Sequence, residues 1–193
     1  KLVEPLRAKR LDLISVSGHK VYAPKGVGAL VARRRGFRRP PLAPLMFGGG
    51  QERGLRPGTV PVHLVVGLGE AARLARSDLA RRRESCLAFR DTMMESLSAL
   101  EPTVHGDQDR TLYNAVNLRF DGVDSEAVMV ALKRIVAVSN GSACTSASYT
   151  SSHVLLAMGL SENEAQGAIR LSWSHLTAEP DWDAVVQAIG RLR

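Results

Sequence analysis

The sequence has 193 residues, 45% of them hydrophobic, and a formal net charge of +7. That length fits one large domain or two small ones and can bury roughly 70% of its extended surface, and no run of about 18 apolar residues marks a membrane span. Two cysteines, Cys86 and Cys144, are too few for a disulfide framework or a cysteine-rich zinc site, and KLVEPLRAKR at the start holds no apolar leader core, so a reducing, cytoplasmic setting is the default expectation. Charge is uneven: residues 1–90 carry 19 Lys/Arg against 6 Asp/Glu, and residues 91–193 carry 7 against 13. The runs RRRGFRR (Arg33–Arg39) and RRR (Arg81–Arg83) raise a nucleic-acid-binding module as one reading. Five of the 26 cations are lysine, so arginine as the habitual surface cation is the plainer one.

In chain order, LDLISVS (Leu11–Ser17) reads as a short buried strand and VGALVARR (Val27–Arg34) as a second, with a turn through Pro24 and Gly26. Residues 35–61 hold five prolines and the runs FGGGQERG and LRPGT, and read as loop. From Pro61 the period becomes helical: Leu64, Leu68, Ala71, Ala75 and Leu79 recur on one face. A second helix aligns Cys86, Phe89, Met93, Leu97 and Leu100, which makes Cys86 a core thiol. Val116, Leu118 and Phe120 share one face of a strand. Residues Ser125–Ile135 form a helix with Asp124 as its N-cap, and IVAVS (Ile135–Ser139) reads as a strand leading to Cys144. Two short helices follow, each opened by serine. A strand, IRLSWS (Ile169–Ser174), comes next. A last helix, with acids at its start and arginine at its end, presents Trp182, Val185, Val186, Ile189 and Leu192. The expectation is an α/β chain whose first 60 or so residues resemble the tail of a larger sheet.

Four stretches could bear chemistry. In SVSGHKVYAPKG, Lys20 follows a strand end, a place for a sheltered amine, and Ser17 and His19 share one side of an extended segment. An amine for an aldehyde and donors for a phosphate are the two needs of pyridoxal phosphate. In GGGQERGLRPGT, clustered glycines allow close backbone approach, and Thr59 with neighbouring N–H groups could donate to a phosphate. An ordinary tight turn is as good a reading. Cys144, in SNGSACTSAS, has small neighbours and no acid between Glu126 and Glu162, as a reactive thiolate would need. Arg170 offers a guanidinium fork for a carboxylate, or a surface ion pair. His63, His105, His153 and His175 share no metal-ligand spacing, so no metal is expected.

SVSGHKVYAPKGVGAL, GGGQERGLRPGTVP, SNGSACTSAS and AIRLSWS, in this order, resemble the pyridoxal-phosphate-dependent cysteine desulfurases with a long catalytic loop, from about residue 11 to 193. The resemblance implies an aminotransferase-like α/β fold (fold type I). Residues 1–77 would end the large cofactor domain, and residues 78–193 would form the small domain bearing the thiol loop. Lys20 would be the lysine that binds the cofactor's aldehyde, with Ser17 and His19 on its phosphate. Thr59 would reach the phosphate in the partner subunit, which implies a homodimer with shared sites. Cys144 would accept sulfur from L-cysteine as a persulfide, and Arg170 would hold the substrate carboxylate. A protein sulfur acceptor follows, in iron–sulfur assembly, tRNA thiolation or DNA phosphorothioation; a selenocysteine lyase is the neighbouring reaction. The family's chains extend far upstream of the lysine, so these residues read as a fragment. Pro57, Asn140 and SWSHL depart from the family's usual residues and mark a divergent branch.

Overall fold

A computed structural model describes residues 4–140 and 151–193. The chain divides between Ala80 and Arg81 into two compact units.

The first unit is built on an antiparallel pair, β1 (Leu13–Ser17) and β2 (Gly28–Ala32), with Leu13 opposite Ala32 and Ser17 opposite Gly28. Two glycines set how tightly its ends close. A Cβ at Gly28 would meet the Val16 carbonyl oxygen at 2.5 Å, and one at Gly18 would meet that of Val27 at 2.5 Å. Irregular chain then leads to α1 (Val62–Ser77), with Pro61 at its N-cap, where a missing N–H costs nothing. Gly67 lets α1 approach the Pro24 ring: a Cβ there would lie 2.8 Å from its Cδ. The arginines between β2 and this loop act partly as braces. Arg33 donates to the Ala8 and Leu6 carbonyls, and Arg35 donates to Asp12 at 2.7 Å and to the Lys9 carbonyl.

The second unit has a three-stranded antiparallel sheet in the order β3 (Thr103–Val104), β4 (Ala115–Arg119), β5 (Ala168–Ser172). Alternation fixes its two faces. Val116, Leu118 and Ile169 enter a core with Cys86, Met93 and Leu97 of α2 (Leu79–Leu97), Val128 and Leu132 of α3 (Ser125–Leu132), and Val185 and Ile189 of the last helix, Trp182–Gly190. Trp173 closes the edge of that core. Its indole N–H donates to the Cys86 carbonyl at 2.9 Å, and its ring stacks on Phe89 at 5.5 Å. On the opposite face Ala168 packs with Leu155 of α4 (His153–Ala157) and Ala165 of α5 (Glu162–Gln166). The last helix is α6. Its N-cap Asp181 accepts from Ala184 N–H, and Asp124 caps α3 by accepting from Glu126 and Ala127 N–H.

The expected strand at Ile135–Ser139 does not form. Ile135 and Val136 N–H both donate to the Leu132 carbonyl and prolong the end of α3 as a turn, and only Ser139 bridges to Arg170. The two-residue β3 is too short to show a period of its own. No helix among the described residues is long and apolar enough to cross a membrane.

Candidate active site

Lys20 sits at the end of β1, where the chain leaves the strand. Ser17 closes the strand and Gly18–Val21 forms a 3-10 turn that ends at Tyr22, which adopts a left-handed conformation with φ +68°. The strand ends at Ser17, as expected, but the extended conformation that would put His19 on the same side does not continue to it. His19 lies in the turn and not beside Ser17 on a strand face. Backbone bonds lock the turn: Gly18 N–H donates to the Val27 carbonyl at 2.9 Å, and Ala23 N–H to the Gly18 carbonyl at 3.0 Å. Buried Gly18 is the hub of this arrangement. Ser17, His19 and Lys20 are exposed, so the expected shelter for the Lys20 amine is not present among the described residues. None of the three side chains has a hydrogen-bond partner there, which leaves a hydroxyl, an imidazole and an amine available around one fixed turn.

Thr59 stands on the glycine-rich loop of the same unit. That loop is more than an ordinary turn. Glu52 and Arg53 both adopt left-handed conformations, φ +47° and +61°, followed by Gly54 at +77°. Two successive non-glycine residues in this region store strain that the surroundings must hold. The Gln51 side-chain oxygen accepts from Gly58 N–H at 3.2 Å and closes the loop. The Thr59 hydroxyl is the next group along, exposed and without a partner among the described residues.

Arg170 belongs to the second unit. It is the third residue of β5, opposite Asn117 of β4, and its backbone pairs with Ser139. Its side chain is exposed on the face away from the core. Sequence reasoning passed over its neighbours. The His105 Nδ1 lies 2.6 Å from the Asn117 Oδ1, and Arg119 lies 3.7 Å from Glu164. Ser161 N–H and hydroxyl hold the Glu164 carboxyl below its ordinary range, with Arg119 and His105 adding to the effect. The alternation of NAVNLRF, read for its apolar members alone, already placed Asn117 and Arg119 together on the second face.

Cys144 lies outside the described residues. Ser139, five positions before it, is the residue that pairs with Arg170. Cys86 is buried in the core, as its helical stripe predicts, and burial pushes its thiol pKa up. No cluster of metal-ligating side chains occurs among the described residues, and His105 is held by Asn117.

The donor set of the first unit fits pyridoxal phosphate: one amine for an aldehyde, and an imidazole and two hydroxyls for a phosphate. The likeness to known proteins agrees. Cysteine desulfurase IscS of Shewanella sp. (strain W3-18-1) is 43% identical over 198 residues, covering 100% of this chain and 48% of the relative. The Shewanella baltica (strain OS155) enzyme of the same name is 44% identical over 193 residues. The crystal structure of DndA from Streptomyces lividans matches with a TM-score of 0.70 and 45% identity over 85% of this chain and 47% of that one. A NifS-like protein matches with a TM-score of 0.76 and 30% identity over 95% and 46%. The chain thus spans about half the length of the curated relatives it matches. The class-V aminotransferase model covers residues 5–185, and the chain belongs to that family.

Proposed function

We propose that this chain is the lysine- and thiol-bearing half of a cysteine desulfurase, which moves sulfur from L-cysteine to its own Cys144 and on to an acceptor protein. One observation carries the reading: similarity to cysteine desulfurases over the whole chain, with Lys20 on a turn after β1 beside donors that have no partner among the described residues. Residues 1–77 end the cofactor domain and residues 78–193 form the small domain. Lys20 would hold pyridoxal phosphate through its aldehyde, with Ser17 and His19 on the phosphate and Thr59 reaching the site of a second copy in a homodimer. Bound there, the cofactor supplies an electron sink for negative charge at the substrate Cα.

The chain's own groups do the rest. Arg170 binds the carboxylate of L-cysteine in a two-pronged contact. The Lys20 Nζ, once free, moves the proton at Cα. The Cys144 Sγ, as thiolate, attacks the substrate sulfur. A sulfur–sulfur bond forms, the carbon–sulfur bond breaks, and the electron pair left on carbon takes a proton. The balance is L-cysteine and a thiol in, L-alanine and a Cys144 persulfide out. The acceptor takes the outer sulfur in a cytoplasmic, reducing setting.

The test uses the full-length protein. Cys144→Ser and Lys20→Ala each lower alanine release from L-cysteine by about a thousandfold or more, the loss expected when a unit of the chemistry goes. Cys144→Ser leaves the visible spectrum of the bound cofactor unchanged, whereas Lys20→Ala alters it. Wild-type turnover by Cys144→Ser overturns the assignment.

A further inference from the structure

We infer that Asn117 is a second donor to the substrate carboxylate beside Arg170, and that His105 is the positioning residue that turns its amide to that task. The inference rests on the desulfurase reading and deepens it.

The three residues form one row across the sheet. Asn117 and Arg170 are directly opposed in the β4–β5 register. The β3–β4 register pairs Thr103 with Arg119 and Val104 with Leu118, and the next step brings His105 N–H to the Asn117 carbonyl at 2.9 Å. Opposed residues of antiparallel strands project from the same face, with Cβ atoms about 5 Å apart. The flanking residues, Val116, Leu118 and Ile169, are buried in the core behind, so this row stands on the other side. Arg170 is exposed there and Asn117 half-buried.

The amide's orientation follows from its partner. Asn117 Oδ1 lies 2.6 Å from His105 Nδ1. An amide oxygen only accepts, so His105 keeps its proton on Nδ1 and donates it. With the oxygen committed on the β3 side, the amide nitrogen, on the opposite edge of the planar group, is turned away from β3. Its two N–H groups have no partner among the described residues. An Asn117 amide next to a guanidinium can give that cation nothing, because both are donors there. The two together present converging donors to one anion.

The other charges on this face do not compete. Arg119 is drawn to Glu164 and Asp121, each at 3.7 Å, and Glu164 is tied to Ser161 at the Ala168 end of β5. Ala168 and its neighbours Leu155 and Ala165 close that end of the face. Among the described residues Arg170 is left as the cation for a carboxylate ligand, with Asn117 beside it.

The experiment measures KM and kcat of the full-length holoenzyme for L-cysteine and for L-cysteine methyl ester, which lacks the anion. Asn117→Ala raises KM for L-cysteine about tenfold, the worth of one hydrogen bond to a charged group, and changes kcat by less than about twofold. Asn117→Asp keeps the shape and the acceptor for His105 but replaces the donor with a negative charge, and raises KM about a hundredfold. His105→Ala, which frees the amide, raises it about threefold. The ester shows less than about a twofold change in all three variants. Binding of L-alanine, measured by calorimetry, weakens in the same proportions as KM for L-cysteine. Should Asn117→Ala fail to fold, Asn117→Asp decides alone. A wild-type protein that releases no alanine from L-cysteine overturns the desulfurase reading and this inference with it. An active wild type whose KM is unmoved by Asn117→Asp, or equal losses on cysteine and its ester, overturns the inference and leaves that reading standing.

Discussion

The two units of this chain solve the problem of burial differently. In residues 81–193 one continuous core runs from Cys86 to Ile189 and includes Met93, Leu118 and Ile169, each no more than 1% exposed. In the first unit the buried hydrophobic residues among those described are Ala23 and Ala71. Every residue of β2 is exposed, with Leu30 at 57% and Val31 at 49%. A two-stranded pair is marginal alone and gains stability from cover. What shapes the first unit is backbone: glycine contacts, a locked 3-10 turn and a closed loop. The residues proposed for the cofactor sit on this backbone-defined part, and the proposed carboxylate clamp sits on the packed part. Donors displayed by a rigid turn with open surroundings admit a large ligand; a sheet with a full core behind it aims a clamp.

The sharpest way to break this comparison is to delete matched side chains from the two units. Leu118→Ala removes a fully buried side chain from the centre of β4 and should cost about 3–4 kcal/mol, transfer and cavity terms together. Leu30→Ala, from an exposed position on β2, should cost about 0.5 kcal/mol or less. Denaturant unfolding of the full-length protein measures both. Equal losses would mean that Leu30 is covered in the intact molecule as thoroughly as Leu118.

Trp173→Phe probes the packed unit alone. The substitution keeps an aromatic ring against Phe89 but deletes the N–H that donates to the Cys86 carbonyl. That carbonyl then sits in the core with its side-chain donor gone, at a cost of about 1–2 kcal/mol. The same measurement reads it, and an unchanged midpoint would show that water replaces the indole.

Much of this was legible in residue patterns, and the exceptions have physical causes. The apolar stripes of α2 and α6 and the alternation of β4 gave the second unit's core directly, because each element buries one face against it. The cap at Asp124 reads correctly because a carboxylate before a helix serves its unpaired N–H groups, and the acids at the start of the last helix include its N-cap, Asp181. Val136 and Val138 favour strands, yet the end of α3 takes their segment into a turn and only Ser139 reaches β5. The role of His19 was argued from a period of two, which fails where the chain turns at Gly18. The row of His105, Asn117 and Arg170 stayed hidden because its members lie 12 and 53 positions apart, and only register joins them. Family resemblance picked out Arg170; only the sheet shows what stands next to it.

The smallest effect expected separates the units by the way each holds its charges. In the first unit, hydrogen bonds from Arg35 and Arg73 hold Asp12 and Glu70 below the ordinary carboxylate range, in pairs exposed on both sides. In the second, Glu164 is lowered first by the Ser161 backbone N–H and then by its hydroxyl, inside the capping box that starts α5. All three acids are more acidic when folded. Each therefore contributes stability that is complete above the ordinary carboxylate pKa and is lost as pH falls through the lowered folded value. Salt distinguishes them. Exposed ion pairs are screened, whereas a carboxylate bonded to a neighbouring N–H and hydroxyl keeps its partners at any ionic strength. Thermal melts of Asp12→Asn and Glu164→Gln at neutral pH should both fall below wild type at low salt. At molar salt the Asp12→Asn difference should close while that of Glu164→Gln persists, and acidification should then erase it as the wild-type Glu164 takes up its proton. A Glu164→Gln difference that salt removes would place this acid with the surface pairs, held by Arg119 and not by the cap.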